Sequence, residues 1–229
     1  MAPHVGVHEL IERQVRRWEA QRARREEGAV SEERQRPMIT ISSELGARGG
    51  ALGRRLGERL GFEVYDRELI EQIAASAHVR ARVVESLDEH VQNWISEYVL
   101  AQFESDLLTE SDYLRHLSHV VLALGHHGHA IIVGRGAQFL LEPSLTLRVR
   151  VIAPLEHRVR CVSEDEHVDA RAARRAIEHS DSERRAFIRL FFKEELTSPL
   201  HYDLVLNTRA LSVAQAAEVV RAAFLVRFG

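Results

Sequence analysis

A chain of 229 residues, 45% hydrophobic and 28% charged, has the balance of an ordinary globular protein and can bury a core without covalent or metal staples. Its formal net charge of −3 supplies no basic field for a nucleic-acid polymer, and no apolar run is long enough to cross a bilayer. The single cysteine, Cys161, excludes an internal disulfide and, with an N-terminus that lacks an apolar signal core, gives the expectation of a cytoplasmic protein that touches no membrane.

Residues 1–37 read as an extension. Val5, Leu10, Ile11, Val15 and Trp18 recur at helical spacing, and the charged stretch QRARREEGAVSEERQRP that follows has no apolar face and ends at Pro37. The main domain is expected over 38–229. Met38-Ile39-Thr40-Ile41-Ser42 is a buried strand by its β-branched run. A glycine-rich turn, Ser43 to Gly50, leads into a helix whose stripe is Leu52, Leu56 and Leu60 and whose C-cap is Gly61. Phe62 to Asp66 is a second strand. Residues 67–125 hold helices only, over RELIEQIAASA, ARVVESLDEHVQNWISEYVLAQF and SDYLRHLSHVVLALGHHG, and read as a helical insertion. Strands follow at 129–134, 145–153 and 202–207, separated by a helix from Pro154 or Leu155 and a polar helical stretch over 169–192, and Ser212 caps a last helix. Five strands each followed by helix predict a parallel sheet covered on both faces.

A strand, a glycine-rich turn and a helix together make an anion site, because the backbone N–H groups converge where the helix dipole is positive. The expected phosphate ligands are the amides of Gly46, Ala47, Arg48, Gly49 and Gly50. The stretch does not fit G-x-x-x-x-G-K-[ST]. Aligned on Arg54-Arg55-Leu56, the lysine slot is Gly49, the metal-binding Ser/Thr slot is Gly50 and the first glycine slot is Ser43. A dinucleotide site is the alternative, with Asp66 placed as its ribose acid. G-x-G-x-x-G is absent, however, and the next strand comes only after the helical insertion, so the spacing favours a mononucleotide. A tight strand–helix turn without ligand is the third reading.

Four runs carry a resemblance: ITISSELGARGGALGRRLGERLGFEVYDRELI, AIIVGRGAQFLL, LRVRVIAPLEHRVR and HYDLVLNT, in that order over about residues 38–225. Together they resemble the cytidylate kinase-like family, relatives of the nucleoside monophosphate kinases. The resemblance implies a P-loop kinase-like three-layer α/β sandwich with a mostly parallel five-stranded sheet. It further implies a helical insertion for the nucleoside monophosphate over about 67–125 and a lid over about 163–195. The implied reaction is transfer of the γ-phosphoryl group of ATP to CMP or dCMP, with Mg²⁺ as the metal. The family commonly replaces the loop lysine, but this chain also departs in having Ser43 and Gly50 where arginine is usual, and Arg48 where glycine is usual.

Site residues follow from position and resemblance. Arg48 is the candidate substitute for the lysine, since a guanidinium can bridge phosphate oxygens. Asp66, at the carboxyl edge, either binds the acceptor or a Mg²⁺ water or is a helix N-cap, and Arg67 either reaches acceptor phosphate or makes a surface ion pair. By resemblance Arg135, between Gly134 and Gly136, holds the acceptor; Arg158 or Arg160 serves the donor; and Asp181-x-x-Arg184 binds nucleotide from the lid. An i,i+3 ion pair explains that last spacing equally. His126, His127 and His129 lack metal-ligand spacing and read as a helix-end cluster, and no protein metal ligands are expected. VQNWISEYVLAQF is core or an interface, which leaves a homo-oligomer open. A nucleotide-binding regulatory or scaffolding protein, with the fold but weak or no transfer, is the competing function.

Overall fold

The computed structural model describes residues 7–26, 36–103 and 110–229, which divide into two compact units. Val5 and most of the charged stretch after the first helix lie outside the described residues.

The helical unit comprises the N-terminal region to Arg36 and residues Arg67–Gly128. Its elements are α1 (Val7–Glu26) and then α3 (Arg67–Ala75), α4 (Ala77–Glu85), α5 (Glu89–Phe103) and α6 (Glu110–His127), where α2 is the helix of the other unit that follows the glycine turn (Gly49–Leu60). The helical stripe in α1 buries Ile11, Val15 and Trp18, and α1 packs on α3 and α4. Trp18 stacks flat on His127 with ring centroids 3.7 Å apart, and Arg82 of α4 pairs with Glu12 at 3.3 Å and Glu19 at 3.4 Å. The run 81–103, read from periodicity as one helix, is two. Ser86 closes α4 by donating its hydroxyl to Val83 O at 2.7 Å, and Gln92 of α5 donates to Leu87 O at 2.8 Å. These side-chain bonds supply the partners that a continuous helix would have given the backbone. In α5, Ile95 and Val99 are buried while Trp94 and Leu100 are exposed, so that amphipathic stretch is core on one face only.

We expect Trp18→Ala to destabilise the helical unit by about 3 kcal/mol, the cost of removing a buried aromatic without repacking. Urea denaturation followed by Trp94 fluorescence checks this, and a change below about 0.5 kcal/mol would show that α1 is not part of the cooperative unit.

The α/β unit comprises Pro37–Asp66 and His129–Gly229. Its five strands are β1 (Met38–Ser43), β2 (Glu63–Tyr65), β3 (Ala130–Val133), β4 (Thr146–Ile152) and β5 (Leu204–Asn207), in the order β2-β3-β1-β4-β5. Every pairing is parallel, so the sheet is entirely rather than mostly parallel. β1 is central, which is why Met38 to Ser42 are an unbroken buried run. Leu52 and Leu56 of α2, with Ala216, Val220 and Phe224 of α10 (Val213–Phe228), pack on Ile39, Ile41, Leu147 and Val149 of the sheet. α10 begins with a capping box between Ser212 and Gln215. The remaining helices are the short α7 (Ala137–Leu140), α8 (Leu155–Glu166) and the long α9 (Ala170–Phe192). α8 and α9 pack through Val159, Val162, Ala173 and Ile177, with Leu45 of the glycine turn against the same cluster. No described helix is long and apolar enough to cross a membrane.

Candidate functional site

Strand order fixes where a ligand can sit. From β1 the chain runs to β2 on one side, and from β4 it runs to β5 on the other. The connections diverge, leaving a crevice outside the carboxyl ends of β1 and β4. Residues 44–48 form its floor. The Glu44 N–H donates to Val151 O at 3.1 Å, and the Ala47 N–H turns back to Glu44 O at 3.1 Å. Gly46 takes φ +81° and Arg48 φ +65°, after which α2 starts at Gly49 with no side-chain cap and no acid in its first turn. The leading amides of a helix have no intrahelical acceptor and carry its positive dipole end, so this is an anion-attracting terminus. A Cβ at Gly49 would stand 2.2 Å from the Ser43 Cβ, whereas one at Gly50 would meet only Arg54 Nη1 at 3.7 Å. The turn is thus tight inside and open outside.

Above the floor lies a network of arginines and carboxylates. Ser42 and Arg150 are register partners on β1 and β4, and Arg150 Nη1 donates to Ser42 Oγ at 2.8 Å. The Arg150 guanidinium also stands over the Tyr202 ring, 5.9 Å from its centroid. Arg158, buried on α8, donates from Nη1 to both oxygens of Asp181 at 3.2 and 2.9 Å. The Glu44 carboxylate lies between these arginines, 3.6 Å from Arg150 Nη2 and 3.4 Å from Arg158 Nε, and accepts from Ala153 N–H at 3.2 Å. Arg184 of α9 donates to the Ser43 carbonyl at the start of the turn. Asp181 and Arg184 therefore face different partners, across helices, and each touches the glycine turn or a residue that does.

A second cleft of about 400 Å³ opens beside the start of α2, lined among others by Arg48, Leu52, Arg160, Cys161, Thr208 and Leu211. Arg48 spans part of it to reach Asp165 at 3.1 Å and Glu164 at 3.8 Å on α8. A hydrogen bond to the Cys161 sulfur is the main cause raising the Arg48 pKa, against an opposing effect of burial, with Asp165 adding to the rise. The guanidinium stays charged. Of the two arginines that the sequence placed on α8, Arg160 lines this cleft while Arg158 belongs to the network around Glu44.

Gly134, Arg135 and Gly136 take φ of +86°, +57° and +68°, three consecutive left-handed residues at the carboxyl end of β3. A non-glycine residue held there stores about 1 kcal/mol or more, a strain that clusters at functional positions. Arg135 lies over the Phe187 ring of α9, 5.7 Å from the centroid. Asp66 follows β2 at the same sheet edge. Arg67 belongs to the helical unit, where it pairs with Glu71 at 3.4 Å. His127 is stacked on Trp18 and lies 2.9 Å from Ser86 Oγ, while His129 tilts against Phe62.

Sequence reasoning did not single out Glu44, Arg150 or Tyr202. One signal was available for Arg150. A charged residue in a strand flanked on both sides by others needs a buried counter-group.

One solved structure shares the fold. A crystal structure of an uncharacterized protein from Eubacterium ventriosum ATCC 27560 superposes with a TM-score of 0.57 at 18% identity, covering 82% of this chain and 98% of that one. Shikimate kinase from Acinetobacter baumannii in complex with shikimate gives 0.47 at 14% identity, with 84% and 95% covered. No curated protein matches the sequence. A family model matches residues 38–210, from the first residue of β1 to just beyond β5, and takes in the glycine turn, the left-handed turn at Arg135 and both long helices α8 and α9. The chain belongs to the cytidylate kinase-like family.

Proposed function

We propose that this protein transfers the γ-phosphoryl group of ATP to a pyrimidine nucleoside monophosphate, CMP or dCMP. The observation that carries the proposal is the glycine turn leading into α2, whose own first helical turn holds no acid, placed in the crevice between β1 and β4 and overlooked by Arg150, Arg158 and Arg184. Phosphoryl transfer asks little covalent work of a protein. It needs alignment and neutralisation of charge on the transferring group.

In this reading the donor base and ribose occupy the cleft bounded by Arg160 and Leu211, and the phosphates extend over the amides of Gly46 to Gly50. Arg184, already anchored at Ser43, neutralises charge on the moving group. Arg48 reaches the donor phosphates by leaving Asp165, and that exchange costs little because exposed ion pairs contribute about 0–1 kcal/mol. Asp66 and Arg135 hold the acceptor at the other side of β1. Family membership implies a divalent metal that accompanies ATP. Gly50 offers no oxygen where a Ser or Thr would ligate it, and the Glu44 carboxylate is engaged by Ala153 N–H and two arginines. These residues do not fit a protein-held metal site, so the roles above are carried by the chain's own groups.

The competing reading, a nucleotide-binding protein with weak or no transfer, is favoured by the absence of a lysine at Gly49 and by the engagement of Arg48 with acids on α8. A coupled assay for ADP with CMP, dCMP, UMP and AMP, run beside calorimetric titration of ATP with magnesium, separates the two. Turnover with CMP or dCMP is the expected result. ATP uptake without turnover on any acceptor would replace the proposal with the competing reading, and no uptake would remove both.

A further inference from the structure

Arginine cannot shed its charge, so a buried guanidinium requires an anion or a full set of acceptors. Arg158 has one in Asp181, at 2.9 Å. Arg150 is only 6% exposed, yet its close contacts are a neutral hydroxyl and an aromatic face. Its anion is Glu44, and the fit is loose. The carboxylate stands 3.6 Å from Arg150 and 3.4 Å from Arg158, well beyond the ~2.8 Å of a good charge-assisted hydrogen bond. Its one hydrogen bond among these contacts is the 3.2 Å acceptance from Ala153 N–H. Arg184 and Arg185 complete the walls of a cavity of about 20 Å³ beside Glu44 and Arg150, room for about one water. Arg150 and Arg158 thus meet Glu44 and Asp181 beside a cavity that Arg184 and Arg185 also line, and that cavity is too small for a phosphate while Glu44 stays where it is.

We propose that Glu44 is a resident counter-anion, which occupies the place of a substrate phosphate between Arg150 and Arg158 and swings out when that phosphate arrives. The ligand chemistry is a phosphate group, from the polyphosphate tail of a donor or from a monophosphate acceptor, and the inference rests on the phosphotransfer reading of this crevice. A phosphate dianion brings more charge and at least three acceptor oxygens, so it satisfies both arginines better than one loosely held carboxylate. In its absence Glu44 keeps the like-charged arginines together, and the site stays assembled. Arg150 then becomes a phosphate ligand that no loop motif would reveal, since it comes from within β4, the strand beside β1.

The test compares the full chain with Glu44→Gln, which keeps an oxygen for Ala153 N–H and removes the charge. Calorimetric titration with inorganic tripolyphosphate and with CMP should show at least one bound about tenfold tighter by the variant, the worth of one removed competing charge. Gain confined to tripolyphosphate assigns the site to the donor tail, and gain confined to CMP assigns it to the acceptor. Equal or weaker binding of both overturns the proposal. If the unmodified protein nonetheless turns over ATP with CMP, only the counter-anion idea falls. If neither form binds tripolyphosphate, CMP or ATP, the phosphotransfer reading falls with it. Should the variant fail to fold, the unmodified chain decides. Its Ala153 amide resonance should shift when tripolyphosphate or CMP saturates the site, because its acceptor has left. An Ala153 amide that stays still while the amides of Gly46–Gly50 shift overturns the proposal.

Discussion

Gly46→Ala should abolish nucleotide binding while leaving most of the fold in place. The residue sits at φ +81°, and an added Cβ would lie 2.7 Å from the Arg158 carbonyl oxygen and 3.0 Å from its Cα and Cβ. The obstacle is backbone at the first turns of α8, so it cannot rotate aside as a side-chain tip would. An alanine held left-handed costs about 1 kcal/mol, and the overlap must in addition push the turn and α8 apart. A displacement of about 1 Å in a positioning element is enough to cost about a hundredfold in activity, and here both the glycine turn and Arg158 move. Gly61→Ala is the matched control. Its φ is +69°, but a Cβ there meets nothing within 4 Å, so it bears the conformational cost alone. Both variants should melt at lower temperature, and only Gly46→Ala should lose ATP binding by about a hundredfold or more in calorimetry. Equal ATP affinities in the two would show that the turn does not hold phosphate.

Arg158→Met is the second large effect. The substitution keeps an apolar stem of similar length and deletes the charge that balances Asp181 at 2.9 Å and Glu44 at 3.4 Å. Removing one member of a buried ionic cluster costs about 3–5 kcal/mol, here because Asp181 loses the guanidinium that pairs it while Glu44 keeps only Arg150. Replacing Asp181 by leucine in the same chain should restore part of the loss, since an apolar pair of similar volume carries no desolvation penalty. Stability regained in the double variant should not bring turnover with it. Both tryptophans, Trp18 and Trp94, belong to the helical unit, so scanning calorimetry rather than tryptophan fluorescence must follow the α/β unit. A single variant within about 0.5 kcal/mol of the unmodified chain would show the network to be solvated and unimportant.

The strands were legible because a parallel sheet buried on both faces leaves runs such as Met38–Ser42 and Ala130–Val133 free of charged residues and rich in β-branched ones. The glycine turn was legible because close backbone approach and left-handed φ can be met cheaply only by glycine, as at Gly46. What surrounds the turn was not. Ser42 and Arg150 are 108 positions apart, and Arg48 and Asp165 are 117 apart. Such pairs are set by parallel register and helix packing, for which short spacing in the sequence holds no signal. The break between α4 and α5 was hidden for another reason. The apolar period continues through Ser86–Asp88, and only side-chain bonds from Ser86 and Gln92 end one helix and begin the next.

The family match begins at Met38, and α1 lies wholly ahead of it. Through Ile11, Val15 and Trp18 this helix covers α3, α4 and the ring of His127. A fragment cut back to the span of the family match would lay that apolar surface open to water and so become prone to self-association, which makes the arm a solubility device for the unit it covers.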